Sequence, residues 1–222
     1  MASLMKLEIN NKCLLFDLDG TLLDQKFDNQ FWNHVIPTEL SLRSKKPIDL
    51  VSQEIQRAYY DVRGTLNWYC IDYWSKKFRL NIFELTQKHD VKICVHEGAM
   101  DLLKSLSLLP VRLYLVTNAH PDILKVKFEK TNIDKYFIEV FSSHSFGYPK
   151  ESTHYWSELL KFLPQNKEDC ILIDDNEHVI ETARKFGIGQ CITVTRPDTS
   201  QPPNKNDDQL SLMSVSEMLH WI

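Results

Sequence analysis

Two aspartates separated by one residue follow the first hydrophobic run of the sequence. The apolar stretch Cys13–Phe16 leads directly into Asp17, and Asp19 and Gly20 come just after it. Four apolar residues in a row predict a strand buried on both faces, as in a parallel sheet. Active sites of such sheets lie beyond the carboxyl ends of the strands. Because two carboxylates this close repel each other unless a cation or a proton offsets their charge, this stretch is the first candidate for chemistry.

Polar side chains also follow three later predicted strands. Taken singly, each group has a plainer explanation, because such residues also form turns and cap helices, and a lone lysine is usually solvated. In a parallel sheet, however, these strand ends meet at one edge, where carboxylates predict Mg²⁺ and a threonine hydroxyl suits phosphate oxygens. The groups are Thr117 and Asn118 after strand 111–116, Lys150 in the loop after strand 137–141, and Asp174 and Asp175 after strand 170–173.

Strands and helices alternate along most of the chain. This alternation predicts an α/β fold with a doubly wound parallel sheet. From residue 25 to residue 96 helical spacing replaces the short apolar runs, so we predict an α-helical insertion there and a core made of residues 1–24 and 97–222. Pro37 and Pro47 are expected to interrupt the helices of the insertion.

The composition argues against several classes of function. The 222 residues carry 26 basic and 30 acidic side chains, a formal charge of −4. Without a basic excess we expect no binding to a nucleic acid polymer. The sequence shows no signal peptide and no membrane-spanning run, so we expect no membrane partner and a cytoplasmic location. Five cysteines without paired short spacings predict neither a disulfide framework nor a zinc site.

The four polar groups, in this order, resemble the four motifs of the haloacid dehalogenase (HAD) superfamily. The first of them, Asp17-x-Asp19-Gly20-Thr21 after an apolar strand, is the most specific. The insertion between the first and second motifs resembles the C1-type cap of this superfamily. The resemblance covers essentially the whole chain and implies a Rossmann-like core with an inserted helical cap.

The resemblance implies a mechanism. Asp17 is then the nucleophile that forms an aspartyl-phosphate, and Asp19 is the acid and base that serves the leaving oxygen and the attacking water. Mg²⁺ is held by Asp17, by the backbone carbonyl of Asp19 and by Asp175. Whether Asp174 binds the metal directly or through water stays open.

Three further residues would handle the phosphoryl group. The resemblance implies that Thr117 and Asn118 bind it and that Lys150 neutralises its charge. One detail departs from the commonest family pattern, since Pro149 precedes the lysine instead of following it. Two other lysines lie within the helix after the second motif and are expected to be solvated: Lys125 and Lys127.

The insertion is where substrate choice is expected to reside. Its 72 residues include 11 of the 24 aromatic residues of the chain. Most of these rings are expected to form the core of the insertion, and others are candidates to stack on a purine. Asp28, Asn29 and Asn67 are candidates to bind a base or a ribose. Several segments also resemble bacterial 5'-nucleotidases of the superfamily that act on GMP and IMP, which implies a purine mononucleotide substrate.

The sequence is also compatible with other functions. The acid at Asp19 favours phosphoryl chemistry, because dehalogenases of the superfamily lack it. A phosphatase or phosphomutase acting on a small sugar phosphate is one alternative, and a receiver-like protein that only binds phosphate is another. The hydrophobic C-terminal end, with Leu219 and Trp221, is compatible with a monomer or a homodimer.

Overall fold

One six-stranded sheet forms the centre of the computed structural model, which describes residues 6–206 and 210–222. Its strands are β1 (Cys13–Phe16), β2 (Arg112–Thr117), β3 (Glu139–Ser142), β4 (Cys170–Asp174), β5 (Gln190–Val194) and β6 (Ser211–Leu212). All neighbouring strands pair in parallel, in the order β3-β2-β1-β4-β5-β6. The chain changes direction along the sheet between β1 and β4, so their carboxyl ends flank the crevice where such sheets bind ligands.

Helices cover both faces of this sheet. They are α1 (Lys26–Gln30), α2 (Ile36–Ser44), α3 (Ile48–Tyr60), α4 (Ile71–Phe78), α5 (Ile82–His89), α6 (Ala99–Leu106), α7 (Pro121–Thr131), α8 (Ser143–Phe146), α9 (Thr153–Leu159) and α10 (Glu177–Phe186). Leu14 and Phe16 of β1 pack in one apolar layer with α6 and α7, whereas Cys13 and Leu15 pack in a second layer with α9 and α10. Successive strand residues point to opposite faces. The predicted doubly wound sheet is therefore confirmed.

Helices α1 to α5 lie within residues 25–96, which we call the helical insertion. The chain passes between the core and the insertion through two connectors that pair with each other. Leu23 and Val95 form an antiparallel bridge, and the amide of Asp24 donates to the carbonyl of Cys94 at 2.9 Å. The chain thus enters and leaves the insertion through one short, hydrogen-bonded ribbon.

Pro37 does not interrupt the helices, and that expectation is wrong. A π-helical turn, Phe31–Val35, joins α1 to α2 into one continuous helical stretch that contains the proline. In π-helical register the carbonyl of Trp32 would accept from residue 37, which has no N–H. The hydroxyl of Tyr59 donates to this carbonyl instead, at 3.2 Å. Pro47, in contrast, directly precedes α3 as its N-cap.

Most predicted elements occur near their expected positions. The strands predicted at 111–116, 137–141 and 170–173 correspond to β2, β3 and β4. The sequence did not predict α8 or β6. The predicted core includes residues 1–5 and 207–209, which lie outside the described residues.

The C-terminal end packs mostly within the chain. Leu212 and Met218 are buried, and Leu219 and Trp221 are partly buried against the same apolar layer as α6. Met213 is exposed. Across the described ranges, no helix is long and apolar enough to cross a lipid bilayer.

Candidate active site

The loop after β1 carries Asp17 and Asp19 into the crevice between β1 and β4. The amide of Asp17 donates to the carbonyl of Ile173 in β4 at 2.9 Å, which continues the parallel pairing one residue beyond the strand. The amide of Leu23 then donates to the carbonyl of Leu18 at 2.8 Å and closes a tight loop. Both carboxylates line one cavity as a result.

Lys150 reaches the same crevice even though Pro149 precedes it. Its Nζ donates to Asp17, to Asp174 Oδ2 at 2.7 Å and to the Val116 carbonyl at 3.1 Å. Burial opposes the charge of Lys150, but the carboxylates of Asp17 and Asp174 outweigh burial and hold the pKa of Lys150 well above its usual value. The side chain is therefore a buried ammonium that bridges the ends of β1 and β4.

Three acidic side chains gather around this ammonium. Carboxylate oxygens of Asp17, Asp174 and Asp175 lie within 4.8 Å of one another. Burial is the main cause that raises the pKa of Asp17 to about 8, and it also raises the pKa values of Asp174 and Asp175. Repulsion between neighbouring carboxylates raises all three pKa values further. One lysine thus leaves these three charges incompletely compensated.

This donor set fits a hard divalent cation. The cavity lining includes five aspartates but two lysines, so a phosphate dianion would meet an excess of negative charge. Oxygen ligands of this kind suit Mg²⁺. The two oxygens of Asp174 already accept from Lys150 and from the amide of Asn176, the latter at 2.9 Å. Asp175 has no ion-pair partner within the described ranges, which leaves its carboxylate available for a metal.

Thr117 and Asn118 take different positions in the site. Thr117 is buried at the end of β2 and lines the cavity, and its hydroxyl accepts from the amide of Ala119 at 3.0 Å. The side chain of Asn118 is engaged within the protein. Its Oδ1 accepts from the amide of Lys150 at 2.9 Å, and its Nδ2 donates to Glu151 at 3.0 Å. Both residues line the cavity, and the side chain of Asn118 also bonds to the amide of Lys150 and to Glu151.

The expectation that Lys127 is solvated is wrong. Its side chain is 2% exposed, and its Nζ lies 2.6 Å from Asp19 Oδ1 and 3.0 Å from Asp28 Oδ2. Burial raises the pKa of Asp28 to about 6 despite this lysine. Lys125, two residues away, is exposed as predicted and pairs with Asp122.

A signal for Lys127 was present in the sequence. The residue stands four positions after Ile123 and three after Leu124, so it falls on the same stripe of α7 as these two apolar side chains. Both are buried in the structure. A lysine on the buried stripe of a helix needs carboxylate partners. Asp19 in the loop after β1 and Asp28 in α1 are these partners.

The insertion closes the other side of the cavity, which has a volume of about 420 Å³. This size lies within the ~300–1,000 Å³ that is typical of small-molecule sites. Among its aromatic lining residues, Tyr59 and Trp74 are buried in the insertion's own cluster, whereas Trp32 and Trp68 are half-buried. The predicted ligand-binding asparagines differ in position. Asn29 lines the cavity and donates to Asp198 at 2.8 Å, whereas Asn67 is exposed and lies outside the lining.

A second group of metal-ligand side chains lies beside the cavity. Cys70, His120 and His144 each offer an atom within 4.8 Å of the others. They come from segments far apart in sequence, which is why spacing alone predicted no such group. The Nδ1 of His120 accepts from the amide of Asp122 at 3.3 Å and so caps α7. All five cysteines are free thiols.

The doubly wound parallel sheet, with an aspartate pair, a buried lysine and two more acids at the ends of its strands, defines a Rossmann-like α/β hydrolase. The chain belongs to the haloacid dehalogenase-like hydrolase family, which matches residues 11–187. The predicted superfamily is confirmed, and the protein is an enzyme of this hydrolase family.

Two curated relatives bear on substrate class. The chain is 37% identical over 186 residues to a protein of Escherichia coli (strain K12) named GMP/IMP nucleotidase YrfG, with 84% of each chain covered. It is 26% identical to the phosphoglycolate phosphatase of Aquifex aeolicus (strain VF5), with 82% of this chain and 84% of that protein covered.

Solved structures show the same fold at lower identity. A HAD phosphatase from Thermococcus onnurineus superposes with a TM-score of 0.78 at 18% identity, covering 93% of this chain and 95% of that chain. The L-2-haloacid dehalogenase from Xanthobacter autotrophicus gives 0.60 at 14% identity, covering 94% and 96%. Proteins named for different reactions therefore share this architecture.

Proposed function

We propose that this protein is a Mg²⁺-dependent phosphomonoesterase that hydrolyses purine nucleoside 5'-monophosphates, GMP and IMP above all. One observation carries the proposal: Lys150 bridges Asp17 and Asp174 in a buried crevice, and Asp19 lines the same cavity. This arrangement offers a nucleophile, an acid and base, and a cation for a phosphoryl group. The 37% identical relative named as a GMP/IMP nucleotidase supports the choice of substrate.

In the first step an oxygen of Asp17 attacks phosphorus, and the bond from phosphorus to the nucleoside 5'-oxygen breaks. Asp19 gives its proton to that leaving oxygen, so a neutral nucleoside departs. In the second step Asp19 takes a proton from water, and the resulting hydroxide attacks phosphorus. The bond between Asp17 and phosphorus breaks, which restores the carboxylate and releases phosphate.

Positive charge must accumulate around the transferred group. Lys150 supplies one charge, and Thr117 supplies a hydroxyl to a phosphate oxygen. Asp17, Asp174 and Asp175, with the backbone carbonyl of Asp19, are the residues that would hold Mg²⁺. A bound Mg²⁺ offsets the charge of these carboxylates and of the phosphate. Because Asp174 is already bonded through both oxygens, we assign the direct contact to Asp175 and a water-mediated one to Asp174.

The nucleoside would lie against the insertion. We propose that residues 25–96 act as a cap domain over a core of residues 1–24 and 97–222. Trp32, Trp68 and Tyr69 are half-buried rings that line the cavity, and of these Trp32 and Trp68 are our candidates to stack on a purine. Asn29, which lines the cavity, is the first candidate for contact with the base or ribose. Purine mononucleotides and free thiols both suit a reducing cytoplasm, where we place the reaction.

The test is phosphate release from GMP, IMP, AMP, glucose 6-phosphate and phosphoglycolate, with Mg²⁺ or with EDTA. We expect kcat/KM for GMP and IMP to exceed that for glucose 6-phosphate at least ~10-fold, a difference that one or two good substrate contacts provide. Activity should vanish in EDTA and in Asp17→Asn. Equal activity on the sugar phosphate would overturn the nucleotidase assignment, and full activity of Asp17→Asn would overturn the mechanism.

A further inference from the structure

A second lysine enters the cavity from a different element than Lys150. Lys127 stands on the buried face of α7, and its Nζ lies 2.6 Å from Asp19 Oδ1. It also donates to both oxygens of Asp28, at 3.1 and 3.0 Å. Asp19 belongs to the loop after β1, whereas Asp28 belongs to α1 of the helical insertion. One buried ammonium therefore joins a core helix, the loop of the first motif and the insertion.

The two lysines of the cavity form ion pairs with different aspartates. Lys150 pairs with Asp17 and Asp174, and Lys127 pairs with Asp19 and Asp28. Within the described ranges, Lys127 is the cation that lies within ion-pair distance of Asp19. In the proposed reaction, the nucleophile Asp17 therefore pairs with Lys150, and the acid and base Asp19 pairs with Lys127.

We propose that Lys127 is a positioning residue for Asp19, and that Asp28 makes this position depend on the helical insertion being seated on the core. This inference rests on the proposed role of Asp19. A side chain that must give a proton and later take one needs a fixed direction toward the reacting oxygen. The ammonium of Lys127 fixes Oδ1 of Asp19 and leaves Oδ2 without a side-chain partner among the described residues.

The contact with the insertion is reinforced at the next residue. Asn29 follows Asp28 in α1 and donates to Asp198 of the core at 2.8 Å. Two consecutive side chains of α1 therefore fasten this helix to the core beside the first motif. If α1 moved away, Lys127 would lose Asp28, and the geometry around Asp19 would change with it. A movement of the insertion away from the core would therefore also change the position of Asp19.

The test uses two substrates whose leaving groups differ in how much they require protonation by a general acid. GMP expels a poor alkoxide leaving group, whereas p-nitrophenyl phosphate expels a phenolate that leaves with little protonation. In Lys127→Met we expect kcat/KM for GMP to fall at least ~10-fold, since a well-placed general acid contributes about 10²–10⁴-fold. For p-nitrophenyl phosphate we expect a change below about 3-fold, because the acid matters little there. The exposed Lys125→Met is the matched control and should change neither value.

Two further variants keep the inference testable if Lys127→Met folds poorly. Asp28→Asn should show the same split between substrates with a smaller loss. In an Asp19→Asn background, Lys127→Met should cause no additional loss on GMP, because its effect acts through Asp19. Equal losses on both substrates, or additive losses in the double variant, would overturn the inference.

Failure of the proposed substrate can be told apart from failure of this inference. If the wild-type enzyme prefers another alkyl phosphate to GMP, that ester replaces GMP in the comparison, and the prediction for Lys127 is unchanged. If the wild-type enzyme hydrolyses its best alkyl phosphate but Lys127→Met shows no split between the two leaving groups, the nucleotidase proposal stands and the inference fails.

Discussion

Gly20 lies so close to Asp175 that no larger residue fits between them. A Cβ atom on Gly20 would lie 2.6 Å from the Cγ of Asp175, and the φ angle of Gly20 is +91°. This contact joins the loop of the first motif to the acid that we assign to the metal. The position requires glycine for its backbone conformation and for the space that it leaves.

We therefore expect Gly20→Ala to abolish most activity. The new methyl group would push Asp175 out of place, and kcat/KM should fall at least ~100-fold, on the scale of removing a major electrostatic group from an active site. Gly64→Ala is the matched control, since Gly64 also has a positive φ, +76°, but has no atom within 4 Å of its Cβ position. Both variants should lose some thermal stability, and only Gly20→Ala should lose activity. Similar kinetics in the two variants would contradict this reading of the contact.

Mg²⁺ should stabilise the folded protein. Burial and repulsion by neighbouring carboxylates raise the pKa values of Asp17, Asp174 and Asp175, so a cation bound there removes an unfavourable interaction. At a Mg²⁺ concentration about 100 times Kd, linkage adds roughly 2.7 kcal/mol to the free energy of unfolding. Thermal unfolding with and without Mg²⁺ measures this gain.

Asp175→Asn should remove most of the stabilisation by Mg²⁺, because it removes the carboxylate that lacks a protein partner. Asp122→Asn, a change in a partly exposed aspartate outside the cavity lining, is the matched control and should keep it. An unchanged Mg²⁺ effect in Asp175→Asn would place the metal elsewhere.

His96 should make a contribution to stability that is lost on mild acidification. This buried side chain contacts the Pro197 carbonyl through Nε2 at 3.1 Å. Burial holds the pKa of His96 below its ordinary value of 6.5. Between about pH 6.5 and that lower pKa the unfolded chain binds a proton that the folded protein does not, so stability decreases as pH falls through this window.

Denaturant unfolding at a series of pH values, for the wild type and His96→Asn, measures this contribution. Relative to the wild type, the variant should lose less stability as pH falls below about 6.5, because the group that binds the proton is gone. His34→Asn, at an exposed position, serves as the control and should keep the wild-type slope. Parallel pH profiles for all three proteins would rule out His96 as the cause.

Trp68 should contribute to nucleotide affinity. It is half-buried, lines the cavity, and contacts Tyr59 with ring centroids 5.7 Å apart. Because stacking of a base on an aromatic ring is worth about 1–3 kcal/mol, Trp68→Ala should raise KM for GMP about 5- to 150-fold. Phe83→Ala, at a half-buried position outside the cavity lining, should leave KM for GMP near the wild-type value. Steady-state kinetics on GMP and p-nitrophenyl phosphate make the comparison, and a KM that rises equally for both substrates would argue against stacking.

The core of the site could be predicted because its signals are local. Asp17 and Asp174 each follow an apolar run, Lys150 lies in the loop after another, and parallel strands bring such ends to one edge of the sheet. The structure places all three within one hydrogen-bonded group. The order of strands and helices follows from the same local patterns, and for that reason the fold class was predictable as well.

The remaining features depend on contacts between distant segments. The residues near Lys127 in sequence do not indicate that Asp19 and Asp28 are its partners. The same holds for Asn118, whose side chain bonds with Lys150 and Glu151, both beyond β3. Such partners come into contact only when the helices and loops pack together in the folded protein.

The paired connectors at Leu23 and Val95 also bear on how this architecture can vary. The chain leaves the core and returns to it at adjacent positions, so residues 24–94 form a single side branch of the core. Closing a loop between neighbouring ends costs little more for a long segment than for a short one. A different segment can therefore be grafted at this junction while the strand ends that carry the acids stay where they are.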